Sequence, residues 1–294
     1  MFSSGGEAHL ILNPSAGKGR AGGARTLISR FLEERGLRLV WHITEGPSHG
    51  SSIVRGLPEG ASVVAVGGDG TVHEVAAACA GTRRTMGVLP AGSGNDYVKA
   101  LGVGTDLRRA LEVLVGGRVR VVDMGDVNGI PFNNGLGIGF DAEVASGVTE
   151  APAYLGGTGR YLWSVGRLLW DFRCHEARLA IDGEIIEART LLVAVALGTT
   201  YGSIFRFTPG AVLDDGLFDV IWSEEVNRAE VLRLIPAALR GTLAERRKVH
   251  TARAREVEVE LLEEVPAHVD GEMLARTRSF RARMLPGALR IVAP

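Results

Sequence analysis

Residues 63–70 read VVAVGGDG, and this stretch decides how the rest of the chain is interpreted. A short run of small and β-branched apolar residues ends at Gly67, and an apolar-spaced segment follows Thr71. The pattern predicts a buried strand, a glycine turn and a helix that begins near Thr71. Glycines let a ligand approach the backbone closely, and a helix N-terminus favours an anionic ligand. Because like charges repel, Asp69 suits a phosphate site only with a divalent cation between carboxylate and phosphate.

Composition excludes several classes of protein. The 294 residues are 46% hydrophobic and carry a net charge of −1, which indicates globular domains and argues against a dedicated nucleic-acid binder. Cys79 and Cys174 match no metal or redox spacing, so we expect buried free thiols in a reducing compartment. The N-terminus lacks a signal-peptide pattern, and the longest apolar run, Leu191–Leu197, is far shorter than the ~20 residues that span a bilayer. These features predict a soluble, cytoplasmic protein.

The first half alternates short strands with helices, which predicts an α/β domain with a parallel sheet. The expected strands are residues 9–12, 38–43, 63–67 and 86–89, and the expected helices run to about Phe31, over 49–55, and from Tyr97 and Leu107. After about Asp123 the pattern changes to hairpin turns and apolar alternation, which predicts mainly antiparallel β-structure. Its expected strands are residues 191–197, 217–222, 256–262, 267–269 and 288–292, with helices over 159–170 and 228–240.

Three glycine-rich loops each follow a strand of the first half: Asn13–Gly19, Gly67–Thr71 and Pro90–Asp96. In an open parallel sheet such loops meet at the carboxyl edge, where ligands bind. The first loop lacks the upstream glycine of a Walker A motif. Residues 137–142 fit G-x-G-x-x-A, but they lie in the β-rich half without an acidic residue about twenty positions later, which disfavours a dinucleotide site.

Six segments in order resemble the diacylglycerol kinase catalytic-domain family, which includes bacterial soluble lipid kinases, sphingosine kinases and ceramide kinases. They are NPSAG (13–17), GGDGT (67–71) with Glu74, LPAGSGND (89–96), NNGLGIGFDA (133–142), AVLDDGLFDV (211–220) and VDGE (269–272). The resemblance implies an ATP-binding α/β domain similar to those of NAD kinases and phosphofructokinases, and a β-sandwich-like lipid-substrate domain. We expect the first domain to span 1–124 with about 286–294, and the second to span 125–285.

The resemblance also implies the site residues and the cofactors, ATP and Mg²⁺. The expected nucleotide contacts are Asn13, Pro14, Ser15, Ala16, Gly17, Thr44, Gly67, Gly68, Asp69, Gly70, Thr71, Val72, His73, Ser93, Asn95 and Asp96. Asp69 would face the phosphate–magnesium cluster. A structural Mg²⁺ would be held by the Asp215 carboxylate and by the main-chain oxygens of Val212 and Leu217, which are hard ligands. Without the family, 211–220 would be interpreted as a plain β-turn. His73 and Ser93 stand where Asn and Thr are frequent in the family.

The triplet Asp270-Gly271-Glu272 resembles the catalytic triplet of this family. Phosphoryl transfer to an alcohol needs a carboxylate that orients the attacking hydroxyl. We therefore assign Glu272 as the base with Asp270 in support, although the order could be reversed. The second triplet, Asp182-Gly183-Glu184, is interpreted as a simple hairpin turn, so the triplet alone identifies nothing.

Two segments suggest transient, peripheral association with a membrane surface. Residues 240–255 hold six basic residues against the single acid Glu245, which fits either a solvated face or attraction to anionic lipids. Residues 161–170 place two tryptophans and an arginine on a helix, which fits either an interfacial helix or ordinary packing.

Together these features predict an ATP-dependent lipid kinase, with diacylglycerol first among the candidate substrates. The alternatives are an NAD kinase-like small-molecule kinase and a non-catalytic nucleotide- or lipid-binding regulator. Neither the lipid nor a homodimer can be read from the sequence.

Overall fold

The structure is a computed structural model that describes residue 2 and residues 5–152, 154–170 and 172–294. The chain divides into two units. The first unit comprises Met1–Met124 and Pro286–Pro294, and the second unit comprises Gly125–Leu285.

The first unit alternates strands with helices, as its apolar periodicity predicts. Its strands are β1 (Glu7–Leu12), β2 (Arg38–Ile43), β3 (Ser62–Gly67) and β4 (Thr85–Pro90). Its helices are α1 (Arg20–Glu33), α2 (His49–Arg55), α3 (Asp69–Cys79), α4 (Asp96–Ala100) and α5 (Leu107–Gly116). Strand β5 (Arg118–Val127) leads into the second unit.

The strands of the first unit form a parallel sheet in the order β2-β1-β3-β4. Every residue of β3 and β4 is buried, which explains their unbroken apolar runs. Parallel register brings Leu12 beside Val66, and Gly67 beside Pro90. The ends of β1, β3 and β4 therefore lie next to one another, and the α/β prediction for this half is confirmed.

The second unit is mainly antiparallel. Its strands are β6 (Ile130–Phe132), β7 (Gly135–Gly139), β8 (His175–Ile181), β9 (Glu184–Thr190), β10 (Leu192–Ala196), β11 (Phe218–Ser223), β12 (Val249–Ala254), β13 (Glu256–Val265), β14 (Ala267–Val269), β15 (Glu272–Met273) and the first part of β16 (Thr277–Ala293). Its helices are α6 (Phe140–Gly147), α7 (Gly157–Leu168) and α8 (Arg228–Arg240), with 3-10 turns at Val148–Glu150 and Leu243–Glu245.

One sheet of the second unit has the order β12-β11-β10-β7-β14-β15, with antiparallel pairing throughout. Apolar side chains of α6, α7 and α8 pack with residues of β10, β11 and β12 in one buried cluster. A second antiparallel set pairs β9 with β8, β8 with β13, and β13 with β16. The prediction of a β-sandwich-like second half is therefore confirmed.

Residues 286–293 form the end of β16 and extend the sheet of the first unit. Arg290 pairs with Thr85 and Ile291 with Met86, in parallel register. Because of this pairing, β4 has a neighbour on both sides.

Several elements differ from the prediction. Strand β7, helix α6 and strand β12 were not predicted, and β16 begins at Thr277 rather than near Ala288. Helix α3 begins at Asp69, two residues before the predicted start. Among the described residues, no helix combines the length and the apolar character that crossing a bilayer requires.

Asn227 caps α8, the helix that covers much of the apolar cluster of the second unit. Its side-chain oxygen accepts the Glu230 N–H at 3.1 Å, while the Glu230 carboxylate accepts the Asn227 N–H at 2.8 Å. Replacing Asn227 by Ala leaves the Glu230 amide without this acceptor, so we expect a loss of about 1 kcal/mol in the free energy of unfolding. Urea denaturation measures it. Asn227→Ser keeps an acceptor and should be nearly neutral; equal losses in both variants would contradict a capping role.

Candidate functional site

Three glycine-rich loops meet at the carboxyl edge of the sheet in the first unit. The loop after β1 is joined to β3 by the Asn13 N–H, which donates to the Val66 carbonyl at 3.2 Å. The loop after β4 turns back on β3, because the Ala91 N–H donates to the Gly67 carbonyl at 2.8 Å. The structure thus brings together the loops that the sequence singled out.

Glycine is needed where the second and third loops touch. A Cβ atom on Gly92 would lie 2.3 Å from Gly68 Cα, so the two backbones approach more closely than side chains allow. Arg20, at the start of α1, spans the first and third loops: its guanidinium donates to the Gly17 carbonyl at 3.1 Å and to the Gly92 carbonyl at 2.8 Å. Backbone contacts and Arg20 therefore help to hold the loops together.

Asp69 joins the second loop to the third. One carboxylate oxygen accepts the Asn95 N–H and the other accepts the Asp96 N–H, both at 2.7 Å. Burial and the charge of Asp96 raise the pKa of Asp69 to about 6, although the backbone N–H groups act to lower it. Asp69 is therefore a loop-bridging carboxylate whose pKa is raised above the ordinary value of an aspartate.

The remaining expected nucleotide contacts occupy different environments. Ser15 and Ser93 are exposed on their loops, and Thr44 follows β2 with its N–H donating to the Leu12 carbonyl. The side chains of Thr71 and Val72 are buried in the first turn of α3, where Thr71 packs against Gly67. Any ligand contact from these two residues would come from their backbone. The other expected contacts are Asn13, Pro14, Ala16, Gly17, Gly70 and His73, all partly exposed.

The aspartate of the expected magnesium loop is paired with a positive charge, that of Arg253 on β12. Asp215 accepts the Leu217 N–H at 3.1 Å and forms an ion pair with Arg253. The described residues contain no group of three or more His, Cys, Asp or Glu side chains that could hold a metal. Mg²⁺ would therefore rely on Asp215 and on main-chain oxygens such as those of Val212 and Leu217, a donor set that suits it in kind.

The Asp270-Gly271-Glu272 triplet forms the turn between β14 and β15. Asp270 has a left-handed backbone, with φ of 52°, and its side chain points back to an earlier loop. Its carboxylate accepts three consecutive backbone N–H groups, from Asn133 at 3.0 Å, Asn134 at 2.8 Å and Gly135 at 2.9 Å. The side chain of Asp270 therefore holds the turn against the Asn133–Gly135 segment.

Glu272 differs from Asp270 although the two are separated by a single glycine. It begins the short strand β15, pairs with Val269 and is exposed. The sequence left open which of the two carboxylates serves as base. The oxygens of Asp270 accept backbone N–H groups, whereas the side chain of Glu272 is exposed to solvent.

A buried histidine and aspartate lie behind this turn and were not among the predicted site residues. His268 Nε2 lies 3.0 Å from an Asp141 carboxylate oxygen, and the Gly271 N–H donates to His268 Nδ1 at 3.2 Å. His268 and Asp141 are only 5% and 8% exposed. Burial acts to lower the pKa of His268, but the charge of Asp141, the hydrogen bond with it and the charge of Asp270 outweigh burial and raise the pKa.

The glycine-rich strand β7 makes room for this pair. A Cβ atom on Gly137 would lie 2.6 Å from His268 Nε2 and closer still to the Asp141 carboxylate. The G-x-G-x-x-A match at 137–142 therefore reflects packing in an antiparallel strand. A histidine two residues before the triplet, on the same face of an alternating strand, was the signal that could have identified the pair.

The second unit also contains an apolar cavity of about 60 Å³ that opens to solvent. Helices α6, α7 and α8 line it together with residues of the β10–β11–β12 side of the sheet. Its walls are almost wholly apolar, and examples are Phe140, Phe205, Phe207, Leu234 and Leu243. Asp141 lies in the same wall, so the His268 pair connects the cavity lining with the Asp270–Glu272 turn.

Two family models match the chain. Residues 7–127 match the diacylglycerol kinase catalytic domain. Residues 135–293 match the "YegS C-terminal NAD kinase beta sandwich-like domain". Together they cover both units.

Curated relatives and solved structures agree with these matches. The chain is 30% identical over 271 residues to diacylglycerol kinase of Bacillus subtilis (strain 168), covering 90% of this chain and 89% of the relative. It is 30% identical over 299 residues to diacylglycerol kinase of Mycobacterium tuberculosis (strain ATCC 25618 / H37Rv), covering 98% and 96%. A crystal structure of a candidate diacylglycerol kinase from Bacillus anthracis str. Sterne superposes with a TM-score of 0.79 at 25% identity, covering 98% of this chain and 97% of that chain.

The resemblance inferred from the six motifs is therefore confirmed. By fold, by both family models and by relatives of nearly full length, this chain belongs to the diacylglycerol kinase family.

Proposed function

We propose that this protein transfers the γ-phosphoryl group of ATP, with Mg²⁺, to a hydroxyl of a membrane lipid, with diacylglycerol as the first candidate. The observation that carries the proposal lies in the second unit, which combines an exposed carboxylate, Glu272, with an almost wholly apolar cavity. Asp141 and His268 connect the wall of that cavity to the turn that carries Glu272. A lipid has the matching two parts, an alcohol and a hydrocarbon chain.

Glu272 would act as the general base. Its carboxylate would accept the proton of the lipid hydroxyl as the oxygen bonds to the γ-phosphorus, while the bond from the γ-phosphorus to the bridging oxygen breaks and ADP leaves. Asp270 would contribute by holding the turn, since its carboxylate accepts three backbone N–H groups. This division of work agrees with the assignment made from the sequence, and it gives Asp270 a supporting role.

The first unit would bind the nucleotide. Its three loops and the N-terminus of α3 lie at one sheet edge, an arrangement that suits phosphates. ATP supplies the phosphoryl group, and Mg²⁺ supplies positive charge to the phosphates and to the Asp215 loop. Asp69 would keep the second and third loops at a fixed spacing, since it bridges their backbones at 2.7 Å.

One assay separates the lipid kinase from its alternatives. The protein is incubated with radiolabelled ATP and a panel of dispersed lipids, including diacylglycerol, sphingosine and ceramide, with NAD as a parallel acceptor. Label in a lipid supports the proposal and identifies the substrate. Label in NAD alone would replace it with a small-molecule kinase. Nucleotide binding without labelled product in any arm would support a non-catalytic regulator.

Replacing Glu272 by Gln tests the base. The amide cannot accept the hydroxyl proton, so we expect kcat to fall by about 10²- to 10⁴-fold, with little change in KM for the lipid. Initial rates at saturating ATP give both constants.

The chain offers a matched control in the second Asp-Gly-Glu triplet. Glu184 follows the same kind of hairpin turn and is also exposed, so Glu184→Gln should leave kcat unchanged. Wild-type turnover in Glu272→Gln, or equal losses in the two variants, would remove Glu272 from the proposed mechanism.

The raised pKa of Asp69 predicts an acid limb in the activity. Below about pH 6 the carboxyl is protonated, and it can no longer accept both loop N–H groups as a carboxylate. We expect kcat/KM to fall below about pH 6, by up to about tenfold per pH unit.

Asp96→Asn provides the diagnostic variant, because the charge of Asp96 is one cause of the raised pKa. Removing that charge should move the acid limb to lower pH, whereas Asp106→Asn, at the cap of α5, should leave it in place. An acid limb at the same pH in wild type and Asp96→Asn would assign the titration to another group.

Exposed aromatic and basic side chains of the second unit support transient association with a membrane surface. Trp170 is 75% exposed just after α7, and the guanidinium of Arg228 lies 5.4 Å from its ring centroid. Arg246 and Arg247 are exposed, whereas Lys248 and Arg253 of the same stretch form ion pairs with acidic residues. The basic stretch therefore divides into residues that support the fold and residues that could meet anionic lipid.

Reversing the charge of Arg246 and Arg247 together should weaken sedimentation with vesicles that contain phosphatidylserine by about tenfold or more, since each basic residue contributes ~1 kcal/mol near such a surface. The binding of wild type should also fall as salt rises. A control double reversal at the exposed residues Arg108 and Arg118 of the first unit should leave binding unchanged. Unchanged sedimentation of the Arg246/Arg247 variant would exclude the electrostatic contact.

A further inference from the structure

Two hairpins of the second unit carry the same triplet in the same conformation. Asp182 and Asp270 have φ of 47° and 52°, and the glycines that follow have φ of 90° and 89°. Each aspartate accepts backbone N–H groups from a neighbouring segment, with Asp182 bound to Arg255 and Glu256 at 2.9 Å. Both hairpins share these contacts, so the turn conformation does not require the histidine that is found only in the second.

The two hairpins differ at the position two residues before the aspartate. Ala180 occupies it in the first hairpin and His268 in the second. Only the second therefore provides a side chain there that can accept the N–H of the turn glycine, which lies 3.2 Å from His268 Nδ1. The additional hydrogen bond is directed at the residue immediately before Glu272.

Burying this histidine costs free energy, and packing alone does not require a histidine here. Burying an imidazole and a carboxylate removes both from water, and an apolar pair of similar size is generally no less stable. Strand β7 must also keep a glycine at 137 to accommodate them. Such a pair is expected where it orients a neighbouring group, as the outer partner of a histidine does at metal sites and in catalytic triads.

The hydrogen bonds define which nitrogen of His268 carries the proton. In the neutral imidazole Nδ1 accepts the Gly271 N–H and so bears no hydrogen, while Nε2 donates to Asp141. The Asp141 carboxylate has no hydrogen to donate, so its partner Nε2 must carry one, and Asp141 thereby selects this tautomer. Tyr201 lies edge-on to the imidazole at 6.4 Å between ring centroids and helps to keep the ring in its plane.

We propose that Asp141 and His268 form a positioning pair that holds the Gly271 amide and thereby fixes the direction in which Glu272 points. The pair does not contact the reacting atoms; it acts through the turn. The inference rests on the proposed function only in giving Glu272 the role of base. The hold on Gly271 is a structural statement that can be tested without substrate.

Two substitutions of His268 separate positioning from simple filling of space. In His268→Asn the amide oxygen can occupy the position of Nδ1 and accept the Gly271 N–H, while contact with Asp141 is lost. In His268→Gln the amide can reach the position of Nε2 and keep contact with Asp141, while the acceptor for Gly271 is lost. A purely structural role, the neutralisation of buried Asp141, would favour the Gln variant. The positioning role favours the Asn variant.

Kinetics provide the first measurement. We expect His268→Gln to lower kcat about tenfold with KM for the lipid nearly unchanged, and His268→Asn to keep kcat within about threefold of wild type. Thermal unfolding checks that both variants fold. Equal losses of kcat in the two variants, or a greater loss in His268→Asn, would overturn the proposal.

Amide hydrogen exchange of ¹⁵N-glycine-labelled protein provides a measurement that does not depend on activity. The Gly271 amide should exchange slowly in wild type and His268→Asn, and at least tenfold faster in His268→Gln, with Gly183 of the other hairpin as the internal control. If no lipid is phosphorylated but Gly271 behaves in this way, the hold on the turn stands and the kinase proposal fails. If the enzyme is active and Gly271 exchange is the same in all three proteins, the positioning pair is excluded and the kinase proposal stands.

Asp141→Asn serves as a second variant if His268→Gln does not fold. The amide keeps the shape of the side chain but allows the opposite tautomer of His268, in which Nδ1 carries a hydrogen that faces the Gly271 N–H. We expect a lower kcat and faster Gly271 exchange. Wild-type values for both would contradict the role of Asp141 as the group that selects the tautomer.

Discussion

Asp69 accepts the backbone N–H groups of Asn95 and Asp96, at 2.7 Å each, and so connects the loop after β3 with the loop after β4. Loops rich in glycine have backbone donors that no regular element satisfies, and a donor without an acceptor is costly once it is buried. A carboxylate that takes two of them turns a flexible pair of loops into one defined surface. Asp270 likewise provides an acceptor for loop N–H groups in the second unit, where it accepts three of them from the Asn133–Gly135 segment.

The same constraint clarifies how a short motif acquires different functions. An aspartate followed by glycine forms a hairpin turn wherever two strands need one, and both Asp-Gly-Glu turns of this chain do so. The aspartate serves the fold in each case. The surroundings differ, because the glycine N–H of the second turn also donates to the buried His268, whereas Ala180 stands at the corresponding position before the first turn.

The sequence predicted the parts of the structure in which local pattern and tertiary packing agree. The strand that ends at Gly67, the helices over 49–55 and 228–240, and the hairpin at Asp182-Gly183 formed as expected, because apolar period and turn residues pointed to the same answer. Strand β7 was missed, since GLGIG has little intrinsic preference for a strand. Gly135 makes room for Tyr201 and Gly137 for the His268–Asp141 pair, and both Tyr201 and His268 come from distant parts of the chain. Strand β12 was interpreted as a basic stretch because its alternation is built around arginine and histidine.

The path of β16 has a consequence for how the protein folds during synthesis. Strand β4 is buried along its whole length and takes its second neighbour from residues 286–294. Until the ribosome has produced those residues, β4 is an uncovered apolar edge that can pair with other chains. The first unit therefore cannot complete its sheet before the whole second unit has been translated, although more than a hundred of its own residues have emerged by then.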